Sequence, residues 1–283
     1  MPIPRNETRW AEMGVSLEGS TALVTGATDG LGKEVARQLA ALGALVIVHG
    51  RDEARGAAAV QAIQAGGKGG AVFRRADFGS LAEVRALADW VGEHHGGIDL
   101  LINNAAATVG ERRESADGFE LAFAVNHLAP FVLTQRLLPK LEANAPARIV
   151  NVSSMGQTPV DFDDLMMEKR YDAFDAYRRS KLAQIMFTID LAARLDPAKV
   201  TVSALHPARA MNTPRVLNGG FTPLSTVEEG AESVLQAAVS PEVKGRTGVY
   251  FNQLVEARAN EQAYDAAARA KLWAISLELT GRS

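Results

Sequence analysis

Thr25-Gly26-Ala27-Thr28-Asp29-Gly30-Leu31-Gly32 is the stretch on which the fold turns. It follows a short apolar run, Thr21 to Thr25, and opens into Lys33 to Leu42, where apolar residues recur at helical spacing. Glycines between a strand and a helix permit a tight turn, a close approach of backbone to a pyrophosphate and close helix-to-strand packing. The helix N-terminus offers unpaired N–H groups to the anion. The loop therefore reads as a dinucleotide-binding turn, with Thr25, Gly26, Thr28, Asp29, Gly30, Leu31 and Gly32 around the cofactor. Asp29 is an odd charge in that place, and it is expected to point away or to cap the helix.

Working outward, short runs rich in valine, isoleucine and leucine alternate with longer amphipathic segments. That is the pattern of a parallel sheet covered by helices on both faces, an α/β doubly wound fold of the Rossmann type. Strands are expected near Thr21 to Thr25, Leu45 to His49, Ala71 to Arg75, Leu100 to Asn103, Arg148 to Val152, Thr201 to Leu205 and Gly248 to Phe251. With no internal repeat and no linker, residues 17–283 read as one domain. Residues 1–16 read as an extended arm that Trp10 and Met13 tack down.

The second strand ends Val48-His49-Gly50-Arg51-Asp52. A fold selecting NAD usually places a carboxylate at the strand end to bind the ribose hydroxyls, whereas an arginine pairs with a 2′-phosphate. Gly50 followed by Arg51 favours NADP(H), with NAD(H) possible. Asp77-Phe78, past the third strand, is placed to edge the adenine. Asn103-Asn104-Ala105-Ala106 ends a buried strand in amides and small side chains, which lets a planar ring approach the backbone of Asn104, Ala105 and Ala106. Asn126, an amide within the apolar helix Leu121 to Leu138, needs a hydrogen-bond partner.

The fifth strand delivers Ser153 and Ser154 at its C-terminal end, where ligands bind in open α/β sheets. Beyond it, Tyr177-Arg178-Arg179-Ser180-Lys181 lies in a segment, Ala176 to Leu195, of helical spacing. Tyr177 and Lys181 are four residues apart and so share a helical face. A cation beside a phenol favours its anionic form and makes tyrosine usable as an acid or base.

Composition narrows the alternatives. The net charge of −3 gives no general attraction to nucleic acid or an anionic membrane. The absence of cysteine removes disulfides, a thiolate nucleophile and cysteine-ligated metals, which suits the cytoplasm. No apolar run reaches the length of a membrane span, and the first residues hold no signal-peptide core. The five histidines form no H-x-x-x-H pair, no G-x-S-x-G elbow occurs, and no metal site is expected.

Together these pieces resemble the short-chain dehydrogenase/reductase family over residues 17 to about 255. Within it the chain resembles the retinol dehydrogenase branch, through Asn126-His127-Leu128, the long Ser154-to-Tyr177 interval, Ser180-Lys181-Leu182-Ala183 and the tail around Lys271-Leu272-Trp273. The resemblance implies strand order 3-2-1-4-5-6-7 and hydride transfer between a nicotinamide and a carbonyl or alcohol. It implies that Tyr177 passes the proton, that Lys181 lowers the tyrosine's pKa and holds the nicotinamide ribose, and that Ser154 hydrogen-bonds the reacting oxygen, with Ser153 the lesser alternative. It assigns Asn126 a water that links Lys181 to solvent. The resemblance also implies a homo-oligomer through helix pairing, although the tail at 256–281 stands to block one such face.

One stretch departs from the family. His206-Pro207-Ala208-Arg209-Ala210-Met211-Asn212-Thr213 has alanine where the family has glycine after the proline. Thr213 falls one position late, with Asn212 where the carboxamide-binding threonine belongs. Pro207, Ala208 and Thr213 are still the expected contacts at the nicotinamide end. The substrate wall is expected from an insert at 155–176 and a lid at 208–224, where Met155, Phe162, Met166, Met167, Met211 and Phe221 suit a small apolar ketone, aldehyde or alcohol. A catalytically idle NADP(H)-binding regulatory protein on the same fold is the rival reading.

Overall fold

Apolar runs such as Leu45-Val46-Ile47-Val48 have no polar face, so they are stable only when helices cover the sheet on both sides. The computed structural model, which describes residues 7–66, 68–218, 220 and 222–281, has that arrangement. Seven parallel strands, β1 (Thr21–Val24), β2 (Leu45–Gly50), β3 (Gly70–Arg75), β4 (Leu100–Asn103), β5 (Ala147–Val152), β6 (Val200–His206) and β7 (Val249–Asn252), stand in the order 3-2-1-4-5-6-7. A short antiparallel strand not expected from the sequence, β8 (Val255–Glu256), is added at the β7 edge. Its two residues are too few to carry a periodicity.

Alternation along each strand splits the core in two. Leu23, Ile47, Leu101, Ile149 and Val202 face one cluster, and Ala22, Val24, Val46, Val48, Ile102 and Val150 face the other. Helices α2 (Gly30–Ala41), α3 (Glu53–Gln64) and α9 (Val227–Val239) cover the second face. The first is covered by α4 (Leu81–His94), α6 (Ala129–Ala143), α7 (Ala173–Ala192) and α10 (Ala266–Leu279). Two short helices, α5 (Leu121–Phe123) and α8 (Pro214–Asn218), complete the set with α1 (Glu7–Glu12).

Three local expectations are corrected. The N-terminal arm is not extended where it is described: α1 buries Trp10 in the core, while Met13 stays exposed. The helix expected over Leu121 to Leu138 is interrupted by a π-helical turn, Ala124–Leu128, that carries Asn126. Helix α7 starts earlier than its apolar spacing suggests, because the Asp172 side chain accepts from the Asp175 N–H at 2.8 Å and caps it. The tail helix α10 lies across α7 and the π turn, with Trp273 against Phe131 and Phe187 and the Ser276 hydroxyl 2.8 Å from His127 Nε2.

Candidate active site

The site is built at the C-terminal ends of β1, β4, β5 and β6. The glycines of the first turn are required by steric necessity. A Cβ on Gly26, whose φ is +63°, would stand 2.9 Å from Ala105 Cα, and one on Gly32 would stand 2.3 Å from the Gly26 carbonyl oxygen. Backbone alone fills that space, so neither position tolerates a side chain. Thr25 and Asn104 serve this turn from within. The Asn104 amide donates to the carbonyls of Thr25 (2.8 Å) and Gly26 (3.2 Å), and Thr25 Oγ1 accepts from the N–H groups of Asn104 (2.9 Å) and Ala105 (3.0 Å). Both side chains are therefore spent on shaping the turn.

Asp29 caps α2, its Oδ1 accepting from Gly30 N–H at 2.7 Å, as one of the two expectations had it. Its other oxygen is ion-paired with Arg55. His49 clamps the turn to β3: Nδ1 accepts from Gly26 N–H at 3.2 Å, and Nε2 lies 3.0 Å from the Ala76 carbonyl. Burial pushes this imidazole down to about 4, so the ring is neutral with its proton on Nε2. Phe78 stacks on His49 at 4.2 Å between ring centres and is only 3% exposed. Its ring is thus core rather than an adenine edge, which corrects the sequence expectation. Asp77 accepts from the Gly79 N–H at 2.9 Å and shapes the same turn.

At the second strand end, a Cβ on Gly50 would come within 2.4 Å of the Thr28 methyl group. No carboxylate side chain fits there without displacing Thr28. Arg51 follows and is exposed to solvent.

Tyr177, Ser180 and Lys181 share the sheet-facing side of α7. Lys181 is buried, and its ammonium donates to the Val152 carbonyl (2.7 Å) and to Gln184 Oε1 (3.4 Å) while lying 5.8 Å from the centre of the Tyr177 ring. Ser153 and Ser154 separate cleanly in role. Ser153 Oγ donates to the Lys181 carbonyl at 2.7 Å and ties β5 to α7, whereas Ser154 Oγ accepts from the Gly156 N–H at 3.0 Å and remains at the open end of the strand. Asn126 pairs with both backbone groups of Ala107, at 2.7 and 3.0 Å, and donates to Ser180 Oγ at 2.9 Å. The π turn aims it at these partners.

The departing stretch after β6 resolves in an unexpected way. Asn212, at the position expected for the carboxamide contact, instead accepts from Val227 N–H at 2.9 Å at the start of α9. Thr213 packs on the glycine turn, its methyl group 3.2 Å from where a Gly30 Cβ would be. The Pro207 carbonyl accepts from the Ser233 hydroxyl at 2.8 Å, and Ala208 is buried.

A cavity of about 350 Å³ opens beside Ser154, lined by Met155, Gln157, Tyr250, Asn252 and the segment Ala257 to Asn260. Most of the predicted apolar wall lies elsewhere. Met155 lines the cavity, but Met167 is buried, Phe162 and Met166 pack the insert on the core, and Met211 packs against the α2–α9 side. Phe221 lies outside the described residues. Gln157 and Tyr250 were not singled out in the sequence. Both donate to the Ser154 carbonyl, at 2.9 and 3.1 Å, and Gln157 Oε1 accepts from Asn260 N–H at 2.6 Å. Burial pushes the Tyr250 phenol up to about 12, opposed by a hydrogen bond from Gln157 and reinforced by Tyr264 and Tyr177 nearby. Tyr250 stands within an unbroken apolar run, Val249-Tyr250-Phe251, so nothing in its spacing marks it.

The fold and this arrangement define a dinucleotide-dependent oxidoreductase, and residues 20–217 match the family model described as short chain dehydrogenase. The chain belongs to the short-chain dehydrogenase family and is retinol dehydrogenase-like within it. It is 39% identical to human (Homo sapiens) retinol dehydrogenase 14 over 94% of this chain and 87% of that protein, and 37% identical to human retinol dehydrogenase 12 over 94% and 88%. Among solved structures, a Mycobacterium paratuberculosis protein of uncharacterized function superposes with a TM-score of 0.79 at 33% identity, covering 94% of this chain and 95% of that one. The Pseudomonas aeruginosa RhlG/NADP active-site complex does so with a TM-score of 0.66 at 28% identity, covering 84% and 96%. The chain is thus an oxidoreductase of alcohol and carbonyl groups, of a family that binds NAD(P). No helix among the described residues is long and apolar enough to cross a membrane, and these residues contain no cluster of metal-ligating side chains.

Proposed function

We propose that the protein is an NADP(H)-preferring reductase or dehydrogenase that interconverts a ketone or aldehyde with its alcohol, with Tyr177 as the general acid and base. The observation that carries this reading is the sheet-facing set on α7 and β5: Tyr177 beside the buried Lys181 ammonium, with Ser154 at the adjoining strand end. When bound, the dinucleotide supplies or accepts the hydride. Tyr177 donates its phenolic proton to the carbonyl oxygen as negative charge develops there, and the Ser154 hydroxyl donates a second hydrogen bond to the same oxygen. Lys181, with one proton on the Val152 carbonyl, sets its charge beside the tyrosine and would hold the nicotinamide ribose of a bound cofactor.

The NADP(H) preference is supported by Arg51 at the β2 end and by the Thr28 methyl that excludes a side chain at Gly50. The retinol dehydrogenases among its relatives point to an apolar alcohol such as retinol, and Met155 with Ala257 and Ala259 provides apolar wall for one. Absorbance of the nicotinamide, followed against retinol, retinal and a panel of smaller ketones, aldehydes and secondary alcohols, tests the reading. Binding of NADPH with no compound turned over would support the idle, regulatory alternative instead.

A further inference from the structure

A carboxylate at the first turn of α2 works against any reading in which this turn holds phosphate, and the structure shows what offsets it. Asp29 is not free to swing away: its extended backbone and its bond to Gly30 N–H make it the N-cap of α2. Its second oxygen is covered by the guanidinium of Arg55. Arg55 is itself held in place by the first turn of α3, where its N–H donates to the Asp52 side chain at 2.9 Å. Next to this pair stand the Thr28 methyl packed on Gly50, and Arg51, which is exposed and makes no hydrogen bond or ion pair among the described residues. The strand end therefore presents one uncommitted cation beside a neutralised pair. Without Arg55 the Asp29 carboxylate would stand uncompensated beside the strand end and oppose the approach of a 2′-phosphate.

We infer that Arg55 is a specificity-determining residue of the cofactor site that acts through Asp29: it neutralises the cap carboxylate and so admits the 2′-phosphate of NADP(H), without itself touching the phosphate. This rests on the NADP(H) reading above. The alternative role, direct contact with the phosphate, is distinguishable because it does not depend on the charge of Asp29.

A double-mutant cycle read by equilibrium binding decides the matter and needs no turnover. Wild type, Arg55→Ala, Asp29→Asn and the double variant are titrated with NADPH and with NADH, following quenching of protein fluorescence at low and at physiological salt. Asparagine caps a helix as well as aspartate, so Asp29→Asn keeps the turn, and melting temperatures check that it does. Arg55→Ala is expected to weaken NADPH about tenfold at low salt and NADH by much less, with the effect shrinking as salt is added. In the Asp29→Asn background the same substitution is expected to cost nothing further. A loss that persists undiminished in that background overturns the inference in favour of direct contact. No loss in either background reduces the pair to a surface contact and overturns it equally. A wild type that binds both cofactors alike rejects the NADP(H) preference and this inference together, whereas a preference with an unaltered cycle rejects the inference alone.

Discussion

The Lys181 ammonium lies 5.8 Å from the centre of the Tyr177 ring and is almost fully buried, with a proton committed to the Val152 carbonyl. A cation held so far from solvent is screened little, so its field falls on the phenol rather than on water. We predict that Tyr177→Phe abolishes turnover, by a factor of about 10² to 10⁴ if an adjacent hydroxyl or water partly replaces it, and leaves NADPH affinity unchanged. Steady-state rates with fluorescence titration of the cofactor check this; wild-type activity in the variant would reject the mechanism.

The two serines at the end of β5 are expected to behave differently. Ser154→Ala removes a donor to the reacting oxygen and should lower kcat by about 10² or more with stability little changed. Ser153→Ala removes the bond to the Lys181 carbonyl that joins β5 to α7. It should cost about 1 kcal/mol of unfolding free energy by denaturant titration, with a smaller effect on kcat. If the two variants exchange these phenotypes, the reacting oxygen is held by Ser153.

The frame of the site was readable because strong local patterns set it. Continuous apolar runs fixed the parallel strands, the glycine turn fixed the first crossover, and four-residue spacing put Tyr177 and Lys181 on one face. What escaped depends on contacts between distant segments. Gln157 and Tyr250 reach the same carbonyl from positions 93 residues apart (250 − 157), and neither carries a local signature. Asn212 accepts from the Val227 N–H at the start of α9 and Thr213 meets Gly30 because the backbone turns at Ala210, whose φ is +41°, a conformation an alanine does not announce. Likewise, Met166, Met167 and Phe162 look like pocket residues by composition, yet a long insert has to bury something of its own to stay folded on the domain.

Cofactor choice is tested at the end of β2. Arg51→Ala should weaken NADPH about tenfold or more and NADH little, since only the former carries the 2′-phosphate. The converse substitution, Gly50→Asp, places a Cβ 2.4 Å from the Thr28 methyl group. It is therefore expected to lower the affinity for both cofactors instead of creating an NAD(H) enzyme, while Gly50→Asp combined with Thr28→Gly should recover NADH binding. Tighter NADH binding by Gly50→Asp alone would show that Thr28 moves aside freely.

Stability should fall in mild acid for a reason that the histidines supply. Burial pushes His49 down to about 4, His127 to about 3 and His206 to about 4, from an ordinary value of 6.5. Above pH 6.5 each is neutral folded and unfolded, and none affects the balance. Between pH 6.5 and about 4 the unfolded chain takes up protons that the folded one refuses, so each histidine subtracts up to about 1.4 kcal/mol per pH unit. The denaturant midpoint is expected to drop steeply across that window. His127 is the group to remove, because its Nδ1 has no hydrogen-bond partner in the buried space it shares with Phe131 and Trp273, and Ser276 keeps its bond to the Leu272 carbonyl at 2.7 Å without it. His127→Phe should flatten the slope, by up to about 1.4 kcal/mol per pH unit, while leaving the midpoint near pH 7.5 close to wild type. An unchanged slope would mean that His127 is protonated in the folded state, and that α10 accommodates the charge.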